Sequence, residues 1–345
     1  MNPALMIRMK KVVIAMIAYI CLSNGSPAQD LHFSQFMNSP LTTNPANTGF
    51  IPNADYRIGG NYRSQWTSLP APFITGSVWA DFQVLRNKLS NGWMGIGALV
   101  LHDLAGSGQL RSDKQYLSVA YHQMLGYSSL LSGGFNLGLA SKRIDINRYR
   151  FDNQWNGRFF DAKIPNGELA FQQSNISYFD MQAGLNYAYF PSEKTYLNLG
   201  LSVHHLNRPK ESFLGSDNEV PERIIGFVNG SFKLNDMWII NPNAYYSLQA
   251  RASEMVLGMN AAYNVTGDGQ FVLIGGAYYR WNDAAVAMIG FERKNISVTF
   301  TYDATISLLS PYNNGKGAYE FSLIKRGYYN QLDRNLLRQS MCPQF

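Results

Sequence analysis

About fourteen segments of this chain alternate apolar with polar residues, and the connections between them tend to run short, then long. That pattern constrains the fold more than any single motif. Alternation with period two puts one set of side chains on each face of an extended strand. Strands are expected near 56–65, 71–83, 92–103, 115–125, 131–140, 177–190, 194–205, 222–233, 236–248, 253–265, 269–280, 284–292, 295–304 and 317–326. In one of the clearest, Phe179, Met181, Ala183, Leu185, Tyr187 and Tyr189 alternate with Asp180, Gln182, Gly184, Asn186 and Ala188. Ile296, Val298, Phe300 and Tyr302 likewise alternate with Ser297, Thr299, Thr301 and Asp303. The segments 92–103 and 269–280 are less clean, with apolar residues or glycine on both faces.

Alternation alone suits a soluble β-sandwich as well as a membrane barrel. The connections separate the two. Short ones are expected at 126–130, 191–193, 234–235, 266–268 and 293–294, and long ones at 104–114, 141–176, 206–221 and 305–316. Three depart from the trend: 249–252 and 281–283 are short, and 84–91 is long. Short turns at one end and longer loops at the other mark an all-β, antiparallel transmembrane barrel. Lipid offers no partner to an unpaired backbone group, so a spanning sheet must close on itself. An even strand count places both ends of the barrel on the periplasmic side. Composition agrees: 14% of the chain is aromatic and only 15% charged, against about 25% charged in ordinary globular domains.

Four regions are expected: a signal peptide at 1–28, an N-terminal segment at 29–55, a barrel at 56–327 and a periplasmic tail at 328–345. Arg8, Lys10 and Lys11 precede an apolar run at 12–22, and Ser26 and Ala28 suit cleavage after Ala28. The run is too short for a spanning helix, which needs about 20 residues. Cys21 leaves with the signal, so Cys342 has no intrachain partner. The net charge of +6 is scattered and argues against nucleic acid. None of the five histidines sits in a nucleophile-elbow or HExxH pattern. Neither an enzyme nor a cofactor is therefore expected. His204 and His205 are adjacent on a strand and are expected to point to opposite faces.

A lumen bounded by about fourteen strands is larger than its wall side chains fill. The segment 29–55, with His32, Phe33, Phe36, Asn44 and Pro45, is expected either to plug it, with help from 141–176 and its Trp155, Phe159, Phe160 and Phe171, or to lie beneath it. The element from His204 through His205, Asn207 and Pro209 to Phe213 either structures a loop or makes an external contact with a partner. The tail with Arg334, Arg338, Cys342 and Phe345 either docks a periplasmic partner or caps the barrel.

Ordered residues along the mature chain resemble the PorP/SprF family. They begin with Gln29 to Phe36, Ser39-Pro40-Leu41 and Asn44-Pro45-Ala46 through Gly49. Tyr56-Arg57 and Asn61 to Trp66 follow, then Pro165 to Glu168 leading into Phe179-Asp180. His204 to Pro209 with Ser212-Phe213 is the most recognisable internal stretch. Asn241-Pro242 with Gln249 and Ser253-Glu254 also fits, as does the ending Cys342 to Phe345, apart from Gln344. The resemblance implies a non-enzymatic outer-membrane component of type IX secretion. Its partners would be other secretion components, secreted cargo or gliding adhesins, and outer-membrane lipid. A channel for small or hydrophobic solutes is the competing reading.

Overall fold

The computed structural model describes residues 30–329 apart from 69–71, 87, 90, 107–108, 146–148, 150, 162, 165–173 and 214–216. The signal peptide 1–28, Gln29, Pro165 to Glu168, Phe171, and Arg334, Arg338, Cys342 and Phe345 of the tail lie outside the described residues.

Fourteen antiparallel strands close into one barrel. They are β1 (Tyr56–Gln65), β2 (Phe73–Val84), β3 (Gly92–Ala105), β4 (Leu110–Met124), β5 (Ser129–Arg143), β6 (Asn175–Ser192) and β7 (Thr195–His204). The second half contains β8 (Arg223–Lys233), β9 (Trp238–Gln249), β10 (Ala252–Asn264), β11 (Phe271–Arg280), β12 (Ala284–Arg293), β13 (Ile296–Thr305) and β14 (Lys316–Gly327). Each strand pairs with its sequence neighbours, and the β1–β14 ladder from Tyr56↔Gly327 to Gln65↔Ala318 closes the ring. The sheet therefore has no free edge for lipid to leave unsatisfied.

Every sequence-expected strand is present, and the alternation sets the faces as anticipated. Phe179, Leu185, Tyr187 and Tyr189 of β6 are exposed on the outer wall, while Asp180, Gln182 and Asn186 are buried inside. Phe300 and Tyr302 of β13 face out; Thr299, Thr301 and Asp303 face in. One connection differs from expectation. The β3–β4 ladder continues to Ala105↔Leu110, so the loop expected over 104–114 shrinks to 106–109. Pairing outruns apolar periodicity there because the strand ends carry polar residues such as Arg111 and Asp113.

Residues 30–51 run down the interior, from the long-loop end to the short-turn end. Asp30 lies beside Lys114 near the start of β4 and Gln249 at the end of β9. At the other end Asp55 donates its N–H to Gly327 and accepts from Gln83, and the chain then enters β1. Three single helical turns, Phe36–Asn38, Pro40–Thr43 and Pro45–Asn47, carry it down the axis. Pro40 and Pro45 open two of these turns, where a missing N–H costs nothing. The Asn44 side chain caps the third by accepting from the N–H of Ala46.

This inner segment explains the strands that alternate poorly. Leu99 and Leu101 of β3 face inward and pack with Trp79, Tyr116, Phe33 and Leu41. Tyr278 of β11 faces inward in a second cluster with Ile225, Phe227, Tyr245, Val256 and Phe36. Apolar residues on both faces mark strands with lipid on one side and a packed interior on the other.

Candidate functional site

Charged groups in the outer part of the lumen hold the first residues of the segment. Seven strands bring Arg63, Arg223, Arg280, Glu254, Asp303 and Glu320, together with Lys114, inward near their long-loop ends. Asp303 pairs with Arg63 at 3.0 Å and with Arg280 at 2.8 Å. The Ser34 hydroxyl donates to Asp303 at 2.7 Å and accepts from both arginines. Glu320 accepts the backbone N–H groups of Ser34 at 2.8 Å and Gln35 at 3.0 Å. His32 lies 3.5 Å from Glu254. Burial, followed by Arg280, Arg63 and Arg223, holds its pKa well below the usual histidine value. It is neutral, and the contact is not an ion pair.

A second charged group sits across the lumen. His205 presents Nδ1 to Asp180 at 2.9 Å and Nε2 to Asp30 at 3.2 Å. Tyr116 donates to the other oxygen of Asp180 at 2.5 Å, and Lys114 binds Asp30 at 2.5 Å. Burial opposes protonation of His205, but its bonds to the two carboxylates outweigh that and raise its pKa. Burial alone would raise the Asp30 pKa; Lys114 and His205 instead hold it well down.

Lower in the barrel the segment is held by shape. Gly95 of β3, Gly134 of β5 and Gly184 of β6 face its backbone or short side chains. A Cβ on Gly95 would overlap the Thr48 carbonyl, and one on Gly184 the Asn44 side-chain oxygen. At Gly134 a Cβ would lie 2.5 Å from the Pro45 carbonyl oxygen. Asn44 donates to the Leu185 carbonyl at 2.9 Å. Asp81 accepts the Gly49 N–H at 2.7 Å and is itself held by Arg57. One internal cavity, lined by Asp30, Phe33, Leu99, Tyr116 and Arg223 among others, has a volume of about 20 Å³. That is room for about one water.

The plug candidates His32, Phe33, Phe36, Asn44 and Pro45 thus all lie inside the barrel against its wall. Other expectations need correction. The long loop leaves Trp155, Phe159 and Phe160 exposed, with Trp155 and Phe160 bridged in a hairpin, and they do not enter the lumen. His204 and His205 do not face opposite ways; both are buried inside. Opposite faces require extended backbone, whereas His205 is left-handed with φ 58° and turns its ring back inward. Neither histidine is an external contact.

The rest of that element structures the loop. β6 overshoots β7, whose ladder with it ends at Ala183↔Val203. The Asn207 amide fills the gap, accepting from the Met181 N–H at 3.1 Å and donating to the Phe179 carbonyl at 2.7 Å. Pro209 is buried, and its carbonyl accepts from Val220 at 2.9 Å. Phe213 is half-buried. At the short-turn end, Tyr328 donates to the Asn53 carbonyl at 2.5 Å and Tyr329 to the Gln83 carbonyl at 2.9 Å.

Sequence reasoning missed the inward charged network and the glycine seat. The signal for the first was present: Asp180 and Asp303 already stood on lumen-facing positions. For the second, Gly184 stood on a lumen-facing position and Gly95 in a strand with glycine on its faces, but the partner that needs the space was not identified.

The barrel is similar to solved structures at low sequence identity. The toluene transporter TbuX of Ralstonia pickettii matches with a TM-score of 0.48 and 11% identity, over 84% of this chain and 94% of that one. A TodX deltaS2S3 mutant, a monoaromatic hydrocarbon channel, matches with a TM-score of 0.51 and 9% identity, over 83% and 93%. At such identity the likeness extends to the fold alone. No curated protein matches. The family profile described as "Type IX secretion system membrane protein PorP/SprF" matches residues 25–324, most of the chain. Taken with the closed membrane barrel, that match identifies the chain as a member of the PorP/SprF family of type IX secretion system membrane proteins.

Proposed function

We propose that this protein is a non-enzymatic outer-membrane component of type IX secretion that supports export or surface attachment of particular cargo proteins or gliding adhesins. The signal-like residues 1–28 would send it across the inner membrane, and the apolar outer wall would contact outer-membrane lipid. Its partners would be other secretion components and the secreted protein. Arg334, Arg338, Cys342 and Phe345 would offer the periplasmic docking tail. Asn207 and Phe213, on the loop between β7 and β8, remain candidates for contact with cargo.

One observation carries this reading over that of a solute channel: the lumen of a secretion-family barrel is occupied along its length by residues 30–51. A passive pore needs a continuous open path, and a hydrophobic-solute channel needs an apolar one. The apolar wall patch of β8 to β12 is filled by Phe36. Deletion of the gene should leave a subset of cargo unexported or unattached while other surface proteins persist. Normal localisation of every sorting-domain cargo in the deletant would end this reading. Planar-bilayer recordings of the purified protein should be silent; steady large conductance would favour the channel.

A further inference from the structure

The inner segment is bound the way a ligand is bound. Among the described residues, no backbone–backbone hydrogen bond joins 30–51 to a strand; its own bonds are local turns such as Asn44 to Pro40. The wall holds it through side chains, and many of these reach its main chain. Arg223 donates to the Leu31 carbonyl at 2.8 Å, Ser202 to the Thr43 carbonyl at 2.8 Å and Trp93 to the Gly49 carbonyl at 2.9 Å. Glu320 and Asp81 accept N–H groups of Ser34, Gln35 and Gly49. Groups aimed at a main chain do not depend on which side chains the peptide carries.

Two features add selectivity. Gly95, Gly134 and Gly184 let a polypeptide backbone or a short side chain lie flat against the wall. Phe36 supplies an aromatic anchor, its ring 5.0 Å from that of Tyr245 and packed among Ile225, Phe227 and Val256. A buried aromatic surrounded by polar main-chain contacts is the pattern of a binding hot spot.

We propose that the lumen is a polypeptide-binding site whose resident occupant is the chain's own residues 30–51, replaceable by a segment of another polypeptide. The incoming segment would present its main chain to the polar wall groups, a compact Asn-Pro-type turn to the glycine seat, and one aromatic side chain to the Tyr245 socket. The site stands on the lumen alone; the secretory reading supplies only the source of the competing polypeptide. Failure of exchange in vitro and failure of the export phenotype are thus separate results.

The test uses the full chain with a protease site inserted between Pro52 and Asn53, so that cleavage turns the segment into a separate peptide. After cleavage in detergent, a fluorescent synthetic peptide of residues 30–52 is added and its retention on the barrel is measured. Retained label, displacement of the resident fragment, and at least tenfold weaker capture of a peptide with Phe36→Ala support the site. Gly184→Val in the wall should weaken capture at least severalfold. An intact cut barrel that never takes up label at about 1 mM peptide, or that takes up both peptides equally, overturns the proposal. If the cut barrel unfolds, the uncut chain carrying Thr42→Cys and Cys342→Ser decides. Added peptide should speed reaction of the thiol introduced in the inner segment with a water-soluble reagent severalfold; an unchanged rate overturns the proposal.

Discussion

The two ends of the inner segment are held by different physics. At the long-loop end, Asp30 to Gln35 sit among buried arginines and carboxylates whose partners are specified one by one. At the short-turn end, Asn44 to Gly49 rest on glycines, where fit depends on the absence of a side chain. A buried ion network is costly to assemble and far more costly to leave half-made. A close-packed seat tolerates removal of a small contact but not the addition of volume. The outer end should therefore be the more sensitive to loss of a group, and the inner end to gain of one.

The largest expected effect follows from removing a shared charge. Asp303→Ala removes the carboxylate that Arg63 and Arg280 share in a buried site, leaving Arg63 with Glu320 and Arg280 with Glu254 and Asp283. Breaking such a pair costs about 3–5 kcal/mol, which should appear as a marked drop in the thermal unfolding midpoint in detergent. Lys210→Ala, which breaks the exposed pair with Asp217, is the control and should leave the midpoint nearly unchanged, because water screens that pair. Equal drops for the two would show that the outer network is not holding the segment.

Gly184→Val should come next, at about 1–3 kcal/mol for overpacking. The added atoms meet the Asn44 side chain and have no room to turn away. Hydrogen exchange should quicken at residues 44–49 while residues 34–35 stay protected. Uniform loosening of the whole segment would mean that its two ends are one cooperative unit.

How far these ends were legible in the sequence follows from the same difference. Strand positions and faces were readable because water, lipid and period-two geometry act on every residue of a strand. Asp180 and Asp303 could be placed inside by parity, but no local rule names Arg280 or Ser34 as the partners of Asp303. Those partners come from strands far apart in the chain, brought together by barrel closure. The glycines were visible, but they record a shape whose other half is the Asn44–Gly49 backbone. His205 was misread for the opposite reason: one left-handed residue overrode a face assignment that extended geometry would have guaranteed.

The smallest effect, and the sharpest on the outer end alone, is its response to pH. His205 faces Asp180 and Asp30, with Lys114 and Tyr116 beside them. Burial works against its charge, but the two carboxylates raise its pKa above the ordinary value of 6.5. A group whose folded pKa is raised stabilises fully below its unfolded pKa, and that contribution is lost as pH rises through the folded value. Asp30 has the opposite sign: Lys114 and His205 overcome burial and hold its pKa below 3.8, so its contribution is present above that pH and fades in stronger acid. Between these limits the clasp is complete. Protection of Leu31 to Phe33, measured relative to the intrinsic base-catalysed exchange rate, should therefore fall as pH is raised through the folded value, and His205→Gln should remove that fall. A pH profile unchanged by His205→Gln would show that this histidine does not fasten the segment at the mouth.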